Sequence, residues 1–205
     1  MTLASDRTLF FGGSFNPVHL AHLACSRAAA RAGGFAHVTL VPCHQPVLKS
    51  KAYDLASSEH RLAMLLLAAE EASDRDLTYA VDPIELTRAG PTYTVDTAEA
   101  LHGQGRSTVD WLIGADQVLN LHRWHRFPEL MRLVRFWVMH RPGYELDWTR
   151  VHPDARKLRD NQVEVPQMDI SATTIRDRVR AGLRFENLVT TKVREYILAH
   201  RLYIP

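Results

Sequence analysis

The chain has 205 residues, 46% of them hydrophobic, and a net charge of +2 from 25 Lys and Arg against 23 Asp and Glu. That is enough apolar material for one full core and too little basic excess for a nucleic-acid-binding stripe, and the absence of a bilayer-length apolar run or signal-like start argues against secretion and membrane insertion. Two cysteines, Cys25 and Cys43, are too few for a disulfide framework, so the expected setting is a reducing cytoplasm with both thiols as small buried hydrophobes.

The first predicted element is a strand at Thr8–Phe11, inside the stretch Leu9–His22, LFFGGSFNPVHLAH. The apolar run breaks at Gly12 and Gly13, which let the backbone bend and approach a ligand, and Pro17 sits where a helix can start without needing its missing N–H. A helix is expected over His19–Ala32. His19 and His22, three apart, share a face of its first turns, where unpaired N–H groups and the positive end of the dipole favour an anion. Taken singly, the glycines read as a turn and the histidines as a solvated face, and a zinc site lacks a third ligand. The ordered combination reads as a phosphate-handling site. There is no GKS or GKT ending of a P-loop and no GxGxxG.

Further along come a strand at His37–Pro42, helices at Ser58–Ala72 and Thr94–Leu101, and strands at Val109–Gly114 and Phe136–His140. The Gly-, Pro- and charge-rich stretch Arg141–Arg159 reads as a surface loop. A short strand at Gln162–Val165 and helices at Thr173–Ala181 and Leu188–His200 close the series. Apolar strands alternating with helices predict an α/β fold, a doubly wound, Rossmann-like parallel sheet with helices on both faces. Residues 1–205 read as one domain with a helical C-terminal part over about 170–205. In such a sheet a ligand lies beyond the carboxyl ends of the strands, where the winding reverses. The loops Gly12–His19, Pro42–Lys49, Gly114–Trp124 and Arg141–Gly143 should therefore meet at one edge.

Three further features carry polar chemistry. Ser171 is an N-cap, and Thr173, Thr174 and Arg176 bring hydroxyls and a guanidinium to a first helical turn, a pattern that a plain cap with a surface arginine also satisfies. Trp124 in HRWHR suits a wall for an aromatic ligand, or an interfacial ring with arginines stacked over it. Asp116, at a strand's end, is a ligand-facing carboxylate or a helix cap.

GGSFNPVHLAH resembles the G-G-[ST]-F-[DN]-P-x-H-x-G-H signature of the nucleotidyltransferase superfamily, with Ala21 where the signature has the glycine before its second histidine. Asp169–Arg176, DISATTIR, resembles its I-S-x-T-x-[IV]-R element. RAGPTYT at Arg88–Thr94, IGADQVLNLHRW at Ile113–Trp124 and RPG at Arg141–Gly143 resemble segments of the bacterial nicotinate-mononucleotide adenylyltransferases, and the likeness runs nearly end to end. Pro46–Lys49 reads PVLK where the family has P-P-H-[KR], so Leu48 replaces a histidine. The resemblance implies transfer of AMP from ATP to nicotinate mononucleotide with release of pyrophosphate, a step of NAD biosynthesis, with Mg²⁺ bridging phosphate oxygens. It implies His19, His22 and Arg176 at the phosphates and the transition-state charge. Gly12, Gly13, Ser14, Phe15, Gly114, Asp116, Ile170, Ser171 and Thr173 fall at the nucleotide. Lys49, Thr94, Trp124 and His125 fall at the mononucleotide, the indole stacking on the pyridine ring while backbone amides near Trp124 and after Tyr93 hold its carboxylate. The expected partners are these two small molecules, with no nucleic acid or membrane and a homo-oligomer left open. Three other readings stand beside this one: transfer to nicotinamide mononucleotide, a nucleic-acid-binding module built on the Arg and His around Trp124, and an ATP-binding regulatory protein.

Overall fold

A computed structural model describes residues 7–44, 55–88, 90–140, 143 and 145–204. Six strands form one wholly parallel sheet: β1 (Thr8–Gly13), β2 (His37–Pro42), β3 (Thr78–Val81), β4 (Val109–Gly114), β5 (Val134–His140) and β6 (Gln162–Glu164), in the order β3-β2-β1-β4-β5-β6. Around it lie α1 (Leu20–Gly33), α2 (Ser58–Ala72), α3 (Thr94–Gly103), α4 (Ala115–Val118), α5 (Phe127–Leu133), α6 (Ala172–Arg180) and α7 (Thr191–Ala199).

Strand alternation explains why the core is double. Leu9 and Phe11 of β1 face one way and join Val38, Leu40, Met64, Ile175 and Val193, which come from β2, α2, α6 and α7. Phe10 faces the other way and joins Trp111, Ile113, Val95 and Leu130, from β4, α3 and α5. The central strands are thus buried on both faces, as the expected doubly wound sheet requires, while the edge strands β3 and β6 keep exposed positions.

The winding reverses at β1, which lies between β2 and β4. Pairing of β1 with β4 stops at Phe11 and Leu112, whereas β1 stays with β2 to Gly13 and β4 stays with β5 to Gly114. The two central strands therefore part at their carboxyl ends, and a crevice opens between Gly12–Gly13 and Ile113–Gly114.

Several elements differ from expectation. The strand does not break at the glycines but runs through Gly13. Their need is spatial: a Cβ on Gly12 would lie 2.6 Å from the Trp111 ring, and one on Gly13 would lie 3.0 Å from the Phe15 ring. Pro17 does not open the helix, because α1 starts at Leu20 with His19 as its N-cap. The edge strand β3 and the seven-residue α5 were not foreseen. The supposed surface loop Arg141–Arg159 contributes Leu146, Val151, Ala155 and Leu158 to the core and winds into a 3-10 helix at Pro153–Asn161. Cys25 is buried as expected, but Cys43 is only partly so. No helix among the described residues is long and apolar enough to cross a membrane.

At the far end of the sheet, the buried Asp110 accepts hydrogen bonds from Arg135 (Nη2, 2.9 Å), Trp137 (Nε1, 2.8 Å) and Arg7 (Nη2, 3.3 Å). Burial works to raise its pKa, but these donors and the two positive charges prevail and hold the carboxyl below its ordinary value. A depressed folded-state pKa gives stability that is present at neutral pH and lost as pH falls through it. Asp110→Asn should cost about 3 kcal/mol at pH 7. In urea unfolding followed by circular dichroism, the gap to wild type should narrow below about pH 4; a gap independent of pH would contradict this ion-pair account.

Candidate active site

The segment leaving β1 must turn out of the sheet and enter α1 within a few residues. Phe15 makes the turn with φ of 43°, unusual for a side chain of its size, and is held there by burial. Its ring meets Phe11 edge-on at 5.7 Å and the His22 imidazole at 5.0 Å. His19 caps α1 in an extended conformation, and its backbone N–H donates to Nδ1 of His22 at 3.2 Å. A backbone N–H can only donate, so that Nδ1 carries no proton, and Nε2–H is the donor the His22 ring offers. The two imidazoles stack at 3.6 Å with planes 24° apart. His19 is almost fully buried, and His22 is half-buried. The expected pairing of these histidines at a helix start is therefore present, although as cap and third residue rather than within one helical face.

The second motif reaches the same place from 160 residues away. Ser171 caps α6, accepting from the Thr174 N–H at 3.0 Å, and exposes Thr173 beside it. Arg176, one turn on, donates through Nη1 to the backbone oxygen of Asn16 at 2.9 Å and through Nη2 to Thr173 Oγ1 at 3.3 Å. Its Nε is shielded from solvent and has no acceptor among the described residues. Ile170 packs on the α1–α2 side of the core and anchors the approach to the cap. Gly12, Gly13, Ser14, Phe15, His19, His22, Ile170, Ser171, Thr173 and Arg176 thus form one assembly on β1, α1 and α6.

A second assembly hangs on β4 and α3. Gly114 leads from β4 into α4, and the Asp116 carboxylate folds back close to the space a Cβ there would take. Asp116 is exposed and accepts from Gln117 at 2.6 Å. Thr94 opens α3 directly after Tyr93, whose ring stacks on His125 at 4.3 Å. The neighbouring Trp124 is half-buried with Phe136 edge-on at 6.2 Å, and its Nε1 has no acceptor among the described residues. Thr94, Trp124 and His125 are therefore brought together. Arg126 explains how: it sits at φ of 53° and bridges Asp96 and Glu99 of α3 to Glu129 of α5. Lys49, with Leu48, Arg141 and Pro142, lies outside the described residues.

Arg61 of α2 was missed in the sequence. It is fully buried, yet its guanidinium donates to the backbone oxygens of Ser14 (3.0 Å), Cys43 (2.7 Å), His44 (3.0 Å) and Ala56 (3.1 Å). Burial pushes its pKa down, and no carboxylate is among these partners. The signal was available: Arg61 shares the helical stripe of Met64, Leu65 and Ala68, all buried, where a surface arginine has no place.

Residues 10–178 match the model of the cytidylyltransferase-like family. The chain belongs to that family. It is 36% identical to a probable nicotinate-nucleotide adenylyltransferase of Herpetosiphon aurantiacus, over 97% of this chain and 99% of the relative. It is 39% identical to one from Enterococcus faecalis, over 94% and 82%. Among solved structures, the Plasmodium falciparum nicotinic acid mononucleotide adenylyltransferase complexed with APC superposes with a TM-score of 0.71 at 15% identity, covering 96% of each chain. The same enzyme complexed with NaAD gives 0.70 at 18%, again covering 96% of each chain.

Arg61→Lys keeps the charge but not the planar fork, so it cannot serve all these carbonyls. The unfolding free energy should drop by about 3 kcal/mol, because buried carbonyls lose their donors. A lysine variant with the denaturant midpoint of wild type would show that the clip is dispensable.

Proposed function

We propose that this chain catalyses adenylyl transfer from ATP to nicotinate mononucleotide, giving nicotinate adenine dinucleotide and pyrophosphate. The observation that carries the reading is the meeting of the two phosphate-type motifs: Arg176 bonds to the loop that delivers His19 and His22, beside the crevice at the winding reversal. The enzyme names of the relatives, together with near-complete coverage at 36–39% identity, support the same reaction.

In this mechanism an oxygen of the mononucleotide phosphate attacks the α-phosphorus of ATP, and the bond from that phosphorus to the bridging oxygen breaks as pyrophosphate leaves. The attacking group is already an anion, so no general base is required. The task is to bring two polyanions together and to stabilise charge on the transferring phosphoryl oxygens, which positioning and preorganised donors accomplish. His22 contributes Nε2–H, set by the lock on its Nδ1. His19 adds a second imidazole at the α1 start, and Arg176 contributes a fork whose Nε seeks an acceptor. The amide-bearing turn Gly13–Phe15 and the α6 cap with Ser171 and Thr173 cradle the rest of the triphosphate. Mg²⁺ belongs with the nucleotide: one or two carboxylates plus phosphate oxygens suffice to hold it, and Asp116 is the exposed carboxylate at the β4 end. When bound it neutralises phosphate charge.

On the acceptor side, Trp124 offers its face to the pyridine ring, and the backbone amides around His125 and at the α3 start receive the ring carboxylate. The chain works as one domain in which the part after about residue 170 supplies Arg176, in a cytoplasmic setting. Of the cations around Trp124, Arg126 is paired with three carboxylates, which leaves it poorly placed to meet a nucleic-acid backbone.

His22→Ala should lower kcat on the order of a hundredfold or more while circular dichroism stays native; near-normal turnover would remove the imidazole from the mechanism. Trp124→Ala should raise the KM for nicotinate mononucleotide about ten- to a hundredfold, with that for ATP nearly unchanged, by analogy with bases stacked on aromatic rings. Equal impairment toward both substrates would refute the stacking role.

A further inference from the structure

The residues after α7 double back toward the β1 loop. Arg201 and Tyr203 both take left-handed backbone conformations, with φ of 50° and 65°. Such conformations cost free energy for residues other than glycine and persist where surrounding contacts demand them. Arg201 closes α7, its N–H and that of Leu202 donating to the backbone oxygens of Leu198 and Ile197. Tyr203 then packs its ring against the core and donates to Oδ1 of Asn16 at 2.9 Å. The Ala56 backbone N–H donates to the same oxygen at 3.0 Å. Asn16 is 6% exposed, and its backbone oxygen is the acceptor for Arg176. Three segments distant in sequence, before α2, in α6 and after α7, therefore converge on the residue between Phe15 and the start of α1.

We propose that Tyr203 is a positioning residue for ATP: acting through Asn16, it sets the turn that carries Phe15 and His19 and the place of Arg176 against it. The proposal rests on the adenylyl-transfer reading above. Burial pushes the Tyr203 hydroxyl pKa upward against the opposing charges of Arg176 and Arg61, so it remains a donor throughout the working range. The ring alone would satisfy packing; the hydroxyl is what reaches the loop.

Tyr203→Phe keeps the ring and deletes only that hydrogen bond. The expected result is a KM for ATP raised about five- to tenfold, the yield of one ordinary hydrogen bond, with the KM for nicotinate mononucleotide unchanged. Calorimetric titration with ATP should show the same ratio in Kd. In an Arg176→Lys background the effect of Tyr203→Phe should shrink, since both side chains act on one loop and are coupled. An unchanged Kd for ATP, equal loss toward both substrates, or full additivity with Arg176→Lys would overturn the proposal and leave Tyr203 as packing. Should the wild type release no pyrophosphate with the mononucleotide, the adenylyl-transfer reading fails, while the ATP titrations still decide the role of Tyr203.

Discussion

A buried guanidinium whose hydrogen bonds among the described residues go to backbone oxygens and one hydroxyl is the constraint on which the site depends. Arg61 lies at the start of α2 and spends its donors on backbone oxygens from the β1 loop, the β2 end and the segment before α2. Taking such a group out of water is unfavourable unless its N–H groups are satisfied, and these carbonyls satisfy it. The exchange is mutual: carbonyls outside the strands gain a fixed donor. The residues after β1 are thereby held against Cys43 and His44, which directly follow β2.

With that loop held, the parting of β1 from β4 becomes a defined crevice with two differently equipped sides. The β1 side presents stacked imidazoles at a helix start and an arginine delivered by α6. The β4 side presents an aromatic surface of Trp124, His125 and Tyr93, clamped by Arg126 through three carboxylates. Polyphosphate chemistry suits the first and a flat heteroaromatic ring the second. On the β1 side the orientation comes from backbone contacts: the His19 N–H selects the tautomer of His22, and the Asn16 oxygen holds Arg176. Preorganisation of this kind favours catalysis by positioning, because nothing has to reorient as charge develops.

The doubly wound sheet was legible because β1, β2, β4 and β5 are near-continuous apolar runs separated by helical periodicity. The strand β3 was not, because four residues at a sheet edge, two of them exposed, carry little apolar signal. The helix α5 was hidden by its brevity and by Pro128 in its first turn. The loop-like reading of Arg141–Arg159 failed for a related reason: Gly, Pro and charge mark irregular backbone, but irregular backbone can still bury Leu146, Val151 and Leu158. In the site, His19, His22 and Arg176 stood out because each lies in a dense local motif. Arg61, Asn16 and Tyr203 act only through contacts made across the fold, which no local spacing encodes. Arg126 was read as part of a basic cluster, whereas its partners on α3 and α5 make it a clamp.

Placement of the two sides implies a preference between acceptors that differ only in the charge on the ring substituent. Backbone N–H groups near His125 and at the start of α3 are donors only, and a carboxylate accepts at both of its oxygens, whereas a carboxamide presents one acceptor and an N–H₂ that opposes them. The most direct measurement is pyrophosphate release by the wild-type chain from ATP and Mg²⁺, with nicotinate mononucleotide and nicotinamide mononucleotide assayed side by side. The account predicts release matched mole for mole by the dinucleotide, with kcat/KM for the acid at least about tenfold above that for the amide, the difference expected of one hydrogen bond to a charged group. Release with neither acceptor, or a preference for the amide, would contradict it.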